Sequence, residues 1–389
     1  MLYDGYGNAI PSIHGVTNTS TTLFGPDLPD DISGYGVSQT YADTMKQCII
    51  DWASEYAGDD QKVPFIVHTD QHGNLTIQRQ GLFNLLSSIV NWDEVSAIFN
   101  LGDTVYDHWS NDDIDSDPLL RNNELENALV CLSGLPSNKR IEIAGNHDTW
   151  YRSPDSSDNT FLPDRKYINP YFKTTGLRVV KNPDNSSFME VFDDRYRIRY
   201  LIIAGWDYED RPDGHVGYPW FWINQKHWDW IIEKMTENTG YDLVIISHVP
   251  LMMGSSIAYD PVSNTSKSMT NPIYIIHFLS FHTPFWNARK NKTSGILSNN
   301  YGLHIEYDFS SCTDNLLCAL AGHTHWDGVD YIRGDSSGLL QIAFDYFQNN
   351  TIHFGLIDRK NEQIVCYKLS NDSDTPSYVR WVAPFNYQN

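Results

Sequence analysis

Clusters of Asp, His and Asn residues stand in order along the chain, each directly after a run of apolar residues. Side chains of these types can bind divalent metal ions through carboxylate oxygen, imidazole nitrogen and amide oxygen. One Asp-x-His or Gly-Asp pair indicates little by itself, whereas an ordered set is not expected by chance. The clusters are Asp70-Gln71-His72, Gly102-Asp103, Gly145-Asn146-His147-Asp148, His248 with Pro250, and Gly322-His323-Thr324-His325.

This set of side chains suits the hydrolysis of a phosphate ester. At neutral pH the reaction needs a strong nucleophile, neutralisation of the phosphoryl oxygens and a proton for the leaving alcohol. Two divalent ions about 3.5–4 Å apart meet the first two needs, because a water that bridges them loses its proton and both ions can clamp the phosphate. Mixed imidazole and carboxylate ligands favour manganese, iron or zinc over calcium. The sequence therefore predicts two divalent metal ions, with magnesium as a further candidate.

In this order the clusters resemble the motifs of the calcineurin-like metallophosphoesterases, over about residues 60–370. Residues 200–207 and the segment from Asn224 to Trp228 also resemble parts of that family. The resemblance implies an α/β fold, a four-layer α/β/β/α sandwich of two mixed β-sheets flanked by helices. It also implies hydrolysis of a phosphomonoester or phosphodiester by a hydroxide that bridges two divalent metals, with a small-molecule phosphate ester as the expected substrate.

The resemblance assigns a role to each residue of the clusters. The first metal would be held by one carboxylate and two imidazoles, the second by an amide oxygen and two imidazoles, and one carboxylate would bridge both. An unligated histidine beside them would assist the leaving group. In this sequence the residues are Asp70, His72 and His325 for the first metal, Asn146, His248 and His323 for the second, Asp103 as the bridge, and His147 as the catalytic histidine.

The second motif departs from the family pattern. Members often carry a second Asp three residues after the bridging Asp, where this chain has Tyr106. Tyr106 could ligate a metal, as in purple acid phosphatases, or Asp107 could orient His147. The sequence leaves both alternatives open.

Two alternative functions are open, and the charge of the chain bears on the first of them, a nuclease. With 27 Lys and Arg against 49 Asp and Glu, the formal net charge is −22, which repels polyanions. A nuclease of the same superfamily is therefore disfavoured, and nucleic acid is not expected as a partner. The other alternative is a slow or non-catalytic metal-binding module within a larger assembly, although every ligand position holds a competent residue.

Apolar periodicity predicts the elements that position the clusters. Spacing from Met45 to Trp52 predicts a helix from Ser38 to about Tyr56, and spacing from Trp228 to Met235 predicts another. Short apolar runs before the clusters are typical of buried strands in an α/β domain, where ligands bind at strand ends. Residues 151–175 and 251–310 are expected to be irregular loops.

The remaining features set the boundaries of the domain. Residues 1–37 are predicted to form an extended arm or linker, and residues 38–389 the metallophosphoesterase domain. No signal peptide or long apolar span is visible, which predicts a soluble chain without a membrane span.

His68 is expected to be a core residue. Arg289 and Lys290 are expected to be a solvated pair, with phosphate contact as the alternative.

Overall fold

The computed structural model describes a large part of the chain, with gaps in the amino-terminal segment and in several connections. Its elements start with a short 3-10 helix at Ser33–Tyr35. Helices α1 to α4 span Gln39–Tyr56, Gln80–Ile89, Gln225–Thr236 and His282–Asn291. The described residues are 32–72, 80–104, 127–128, 130–145, 148, 177–184, 188–203, 223–251, 257–268, 282–299, 302–331, 338–347, 350–371 and 375–385.

Most of the described strands form two large sheets, which we call sheet I and sheet II. Sheet I has the strand order β17-β16-β15-β1-β2-β3, and sheet II has the order β4-β5-β6-β7-β12-β14-β13-β8-β9. Strands β10 and β11 pair as a separate hairpin. The strands β1 to β17 are Lys62–His68, Ala97–Asn100, Arg140–Glu142, Arg178–Lys181, Phe188–Asp193, Ile198–Ile203, Asp242–Ile246, Ile257–Asp260, Thr265–Ser268, Ser294–Ser298, His304–Asp308, Leu316–Ala321, Gly328–Tyr331, Leu340–Ala343, Ile352–Asp358, Gln363–Ser370 and Ser377–Pro384.

Sheets I and II face each other across a buried core. Phe99 of β2 packs edge-on against Tyr200 of β6, with ring centroids 5.1 Å apart. Val67 of β1, Ile246 of β7 and Leu320 of β12 belong to the same apolar cluster. Both sheets mix parallel and antiparallel neighbours. The predicted α/β class and the sandwich of two mixed sheets are confirmed.

Helices lie on both outer faces of the sandwich. On sheet I, Trp52 of α1 contacts Phe354 of β15 at a centroid distance of 5.4 Å. On sheet II, Trp228 of α3 and Phe285 of α4 pack against each other and share one apolar cluster with Leu201 of β6. The two helices predicted from the sequence are confirmed as α1 and α3.

Both predicted helices begin at a side-chain cap. Ser38 Oγ accepts a hydrogen bond from the Tyr41 backbone N–H, and Asn224 Oδ1 accepts one from the His227 N–H. Each cap satisfies a backbone donor that has no partner inside the helix.

Parallel pairing brings the carboxyl ends of the central strands to one edge of the sandwich. In sheet I, β1, β2 and β3 run parallel. In sheet II, β6, β7, β12 and β14 run parallel. The predicted metal ligands within the described residues follow β1, β2, β7 and β12, so the fold collects them at this edge.

Two parts of the chain differ from or extend beyond the sequence-based expectations. The expectation that residues 251–310 form an irregular loop is wrong for their described part, which contains β8 to β11 and α4. Residues 151–175 lie outside the described residues. Ile32 and Tyr35 pack against the α1 and α2 layer, while residues 1–31 are not described, so the arm over residues 1–37 stays a prediction.

The five cysteines of the chain are buried thiols, with no disulfide among them. Among the described residues, none of the helices combines the length and apolar character needed to cross a membrane.

Candidate metal centre

Six predicted metal ligands lie within the described residues, and they fall into two groups. The first group contains Asp70, His72, Asp103 and His325, and the second contains Asp103, His248 and His323. In each group one potential ligand atom per residue lies within 4.8 Å of the others. Asp103 belongs to both groups. Asn146, His147, Tyr106 and Asp107 lie outside the described residues, so their predicted roles stay predictions.

In the first group, imidazole nitrogens converge on carboxylate oxygens. Nε2 of His72 lies 2.8 Å from Nε2 of His325. The same His325 atom is 3.4 Å from Oδ1 of Asp70, and Nε2 of His72 is 4.0 Å from Oδ2 of Asp103. Nitrogen and oxygen donors therefore point into one small volume.

The second group repeats this arrangement on the other side of Asp103. Nε2 of His248 lies 3.2 Å from Oδ2 of Asp103 and 3.2 Å from Nδ1 of His323. Asp103 and His248 are almost fully buried. Each group thus holds a pair of imidazole nitrogens that face each other beside a carboxylate, and a divalent cation would accept the lone pairs of both. The residues present fit divalent metal ions of the borderline transition series.

The backbone at these positions is unusual. Ten described non-glycine residues have positive φ, and five of them are predicted ligands: Asp70, His72, Asp103, His323 and His325, with φ from 46° to 69°. L-residues seldom adopt this left-handed conformation outside functional sites and tight turns. The chain turns sharply after each strand, which carries these side chains over the edge of the sandwich.

Hydrogen bonds orient the ligand side chains. Oδ2 of Asp70 accepts bonds from the Thr69 hydroxyl and the His323 backbone N–H, at 2.7 and 2.8 Å, so its Oδ1 is turned toward His325. Nδ1 of His248 lies 2.7 Å from the Leu101 carbonyl oxygen. Because a carbonyl can only accept, Nδ1 donates and Nε2 is the atom presented to Asp103. Such outer contacts fix tautomer and ring orientation in metal sites.

Asp148 connects the second and third motifs. Its Oδ1 accepts a hydrogen bond from the Thr104 backbone N–H and its Oδ2 accepts one from the Gly145 N–H, both at 2.8 Å. The turn after Asp103 is thereby tied to Gly145 and Asp148, the residues that flank Asn146 and His147 in the sequence. The sequence places Asp148 in the third cluster but assigns it no role; its position next to two predicted site residues is the signal that marks it.

The glycines of the motifs allow close approach between these loops. A Cβ at Gly145 would lie 2.1 Å from Oδ1 of Asp103, and one at Gly322 would lie 2.2 Å from the Thr69 hydroxyl oxygen. No side chain fits at such distances, so the Gly of each motif is needed sterically.

Burial and neighbouring charge shift the pKa values of the two histidines of the second group in opposite directions. Burial acts to lower the pKa of His248, but the carboxylates of Asp103 and Asp70 outweigh it and raise this pKa to about 9. Burial, with the charge of His248, lowers the pKa of His323 to about 3. A metal ion at this group must therefore displace a proton from His248, and its affinity should increase with pH.

Two basic residues outside the clusters, Arg289 and Lys290, have structural partners. Arg289 is fully buried and donates hydrogen bonds to the carbonyl oxygens of Met235 and Asp314. Lys290 donates to those of Gly338 and Phe385. The expectation of a solvated pair is wrong, because both side chains donate hydrogen bonds to backbone carbonyl groups of residues far away in the sequence.

The core assignment of His68 is confirmed. This histidine is buried, and burial lowers its pKa to about 3.

Comparisons with known proteins add little to these observations. No family model matches the chain, and no curated protein matches it in sequence. Among solved structures, the chain is similar to Vacuolar Protein Sorting 29 from Cryptosporidium parvum, with 8% sequence identity and a TM-score of 0.27. The alignment covers 83% of this chain and 98% of that one. Likeness at this level identifies neither family nor function.

Proposed function

We propose that this chain is a metal-dependent phosphoesterase of the calcineurin-like superfamily, which hydrolyses a small-molecule phosphomonoester or phosphodiester. One observation carries the proposal: two groups of potential ligand atoms share Asp103 at the edge where the strands of both sheets end. A single carboxylate between two sets of imidazoles is the arrangement that a two-metal centre requires.

The ligand assignment follows the two groups. Asp70, His72 and His325 would hold one ion, and His248 and His323 would hold the other together with Asn146. Asp103 would contact both. When bound, the two ions would supply an activated water and neutralise charge on the phosphoryl oxygens.

The residues of the chain itself would provide position and protons. Thr69 and the His323 backbone N–H hold the Asp70 carboxylate in one orientation. The two hydrogen bonds to Asp148 tie Gly145 and Asp148, which flank His147 in the sequence, to the turn after Asp103. His147 would then stand beside the substrate and give a proton to the oxygen of the departing alcohol.

The deciding experiment measures hydrolysis of para-nitrophenyl phosphate and bis-para-nitrophenyl phosphate. Metal-free protein is reloaded with manganese, zinc, iron or magnesium, and the wild type is compared with Asp103→Asn and His147→Ala. Asp308→Asn, a change of an exposed carboxylate on the separate hairpin, is the matched control.

We expect metal-dependent turnover that Asp103→Asn abolishes and Asp308→Asn leaves intact. His147→Ala should lower kcat about 10²- to 10⁴-fold, the usual contribution of a general acid, with metal content unchanged. The preferred ester separates a monoesterase from a diesterase. Turnover equal in the wild type and Asp103→Asn with every metal would reject the proposal in favour of a non-catalytic metal-binding module.

A further inference from the structure

His325 is the most exposed of the six described candidate ligands. Its side chain is 44% exposed, whereas that of His72, its partner in the first group, is 10% exposed and that of Asp70 is buried. An exposed imidazole can rotate about both side-chain torsions unless a neighbour restrains it. Binding a metal through one ring nitrogen requires that the ring be held in one orientation.

Tyr346 supplies the restraint. Its ring stacks on the His325 ring with centroids 5.1 Å apart and planes inclined by 13°. Tyr346 follows β14, while His325 follows the neighbouring parallel strand β12. The two rings therefore meet above adjacent strands of sheet II.

Backbone contacts tie these two loops together. The Tyr346 N–H donates to Oδ1 of its neighbour Asp345, at 2.8 Å. The Asp345 N–H donates to Oδ1 of Asp327, at 3.3 Å, and Asp327 stands two residues after His325. The positions of Tyr346 and His325 are thus linked through the two acidic side chains.

Lys368 of β16 connects the same acids to sheet I. Its Nζ lies 2.9 Å from Oδ2 of Asp327 and is also paired with Asp345. His353 of β15, opposite Lys368 in the strand register, places Nε2 2.7 Å from Oδ1 of Asp327. We call Asp327, Asp345, His353 and Lys368 the Lys368 cluster.

Because the Lys368 cluster is buried, its ion pairs favour a single geometry. Asp327 and His353 are almost fully buried and Lys368 is 8% exposed. Buried ion pairs add little net stability, but breaking one is costly, so they favour a single geometry. A cluster of this kind can hold the ends of β12 and β14 at a fixed distance from sheet I.

We propose that Tyr346 is a positioning residue, which holds the His325 ring for metal binding, and that the Lys368 cluster fixes Tyr346 relative to His325. The inference rests on the proposed function, because it assigns a ligand role to His325. Tyr346 and the Lys368 cluster would thus affect metal affinity without binding a metal themselves.

The experiment titrates metal-free protein with Mn²⁺ by calorimetry and with Co²⁺ by visible absorption. Wild type is compared with Tyr346→Phe, which keeps the stacked ring, and Tyr346→Leu, which removes it. Tyr378→Leu on the edge strand β17 is the control for loss of a partly exposed tyrosine. Circular dichroism checks the fold, and Tyr346→Met replaces Tyr346→Leu should the latter unfold.

We expect Tyr346→Leu to weaken one metal-binding event by about 10- to 100-fold and to change the Co²⁺ spectrum, as outer contacts of metal ligands do. Tyr346→Phe and Tyr378→Leu should bind both metals as the wild type does. If Tyr346→Leu binds metal like the wild type, the inference is wrong. In that case, a raised KM of this variant for para-nitrophenyl phosphate would place the Tyr346 ring against the substrate instead. Wild-type protein that binds no metal would reject the proposed function itself.

Discussion

At five candidate ligand positions the backbone takes a left-handed conformation that costs L-residues about 1–3 kcal/mol each. Main-chain hydrogen bonds hold two of them in place: the Asp70 N–H donates to the Gly102 carbonyl and the His72 N–H to that of Asp103, both at 2.9 Å. The strain is thus sustained by contacts between neighbouring motif loops. Crowding at the motif glycines is part of the same arrangement.

Gly145→Ala tests this crowding. The added Cβ would meet Oδ1 of Asp103 at 2.1 Å and its backbone nitrogen at 2.4 Å, so the Asp103 turn must shift. We expect a loss of about 1–3 kcal/mol in the free energy of unfolding, measured with urea. The affinity for Mn²⁺ should fall at least about tenfold, because the displaced carboxylate belongs to both ligand groups.

Gly34→Ala is the matched control, since a Cβ there has no atom within 4 Å. It should change neither measurement. Wild-type metal affinity in Gly145→Ala would mean that the Asp103 turn can yield without consequence for the site.

At the scale of elements, the helices pack on the outer faces of the sheets and stabilise them, while the strand ends carry the candidate ligands. Trp52 of α1 is fully buried and donates from Nε1 to the Gly355 carbonyl of β15, at 2.9 Å. Gly355 pairs with Phe65 in the middle of β1, several residues before Asp70. Stability and metal binding should therefore be separable in this protein.

Trp52→Ala should lower the free energy of unfolding by about 3–5 kcal/mol, the cost of removing a large buried ring. Trp52→Phe, which keeps an aromatic ring but loses the hydrogen bond, should cost less. Urea unfolding gives both values. In the folded fraction, the Mn²⁺ affinity should equal that of the wild type, and a parallel loss of affinity would show that α1 supports the site directly.

At the scale of the whole molecule, the pH dependence of stability is expected to contain a term from a buried carboxyl group of sheet I, that of Glu142. His68, Asn100 and Glu142 stand side by side across β1, β2 and β3. Burial raises the pKa of Glu142 to about 7, against the attraction of Arg140. The folded protein therefore binds a proton on Glu142 at pH values where the unfolded chain has released it, and the stability derived from this group falls as pH rises from about 4.5 to about 7.

Glu142→Gln should remove this term. Near pH 4 the variant and the wild type should unfold at similar urea concentrations, because both side chains are neutral. The variant should gain relative stability as the pH rises and reach a constant advantage of at most about 3 kcal/mol above pH 7. An advantage that does not change between pH 4 and pH 8 would contradict the raised pKa of Glu142.

The sequence by itself determined the strands that lead to the site. Buried parallel strands are continuous apolar runs, so β1, β2, β7 and β12 were recognisable before any pairing was known. The first helix was equally clear, because its apolar stripe follows directly on the Ser38 cap. Donor types and their order along the chain were also fixed at this level.

Elements outside the site were harder to predict. Strand β9, Thr265–Ser268, is polar throughout and its only described neighbour in sheet II is β8, so no apolar alternation marks it. Arg289 is buried because the carbonyl groups of Met235 and Asp314 reach it. Long-range partners of this kind leave no local signal.

Only the tertiary structure decided which donor atoms meet. Asp70 and His325 are separated by more than two hundred residues, and their 3.4 Å contact exists because two sheets place the ends of β1 and β12 at one edge. Tyr346 came within reach of His325 through the pairing of β12 with β14. Local propensity can place a ligand at the end of a strand, but distances across the site are set by sheet pairing and by the packing of one sheet on the other.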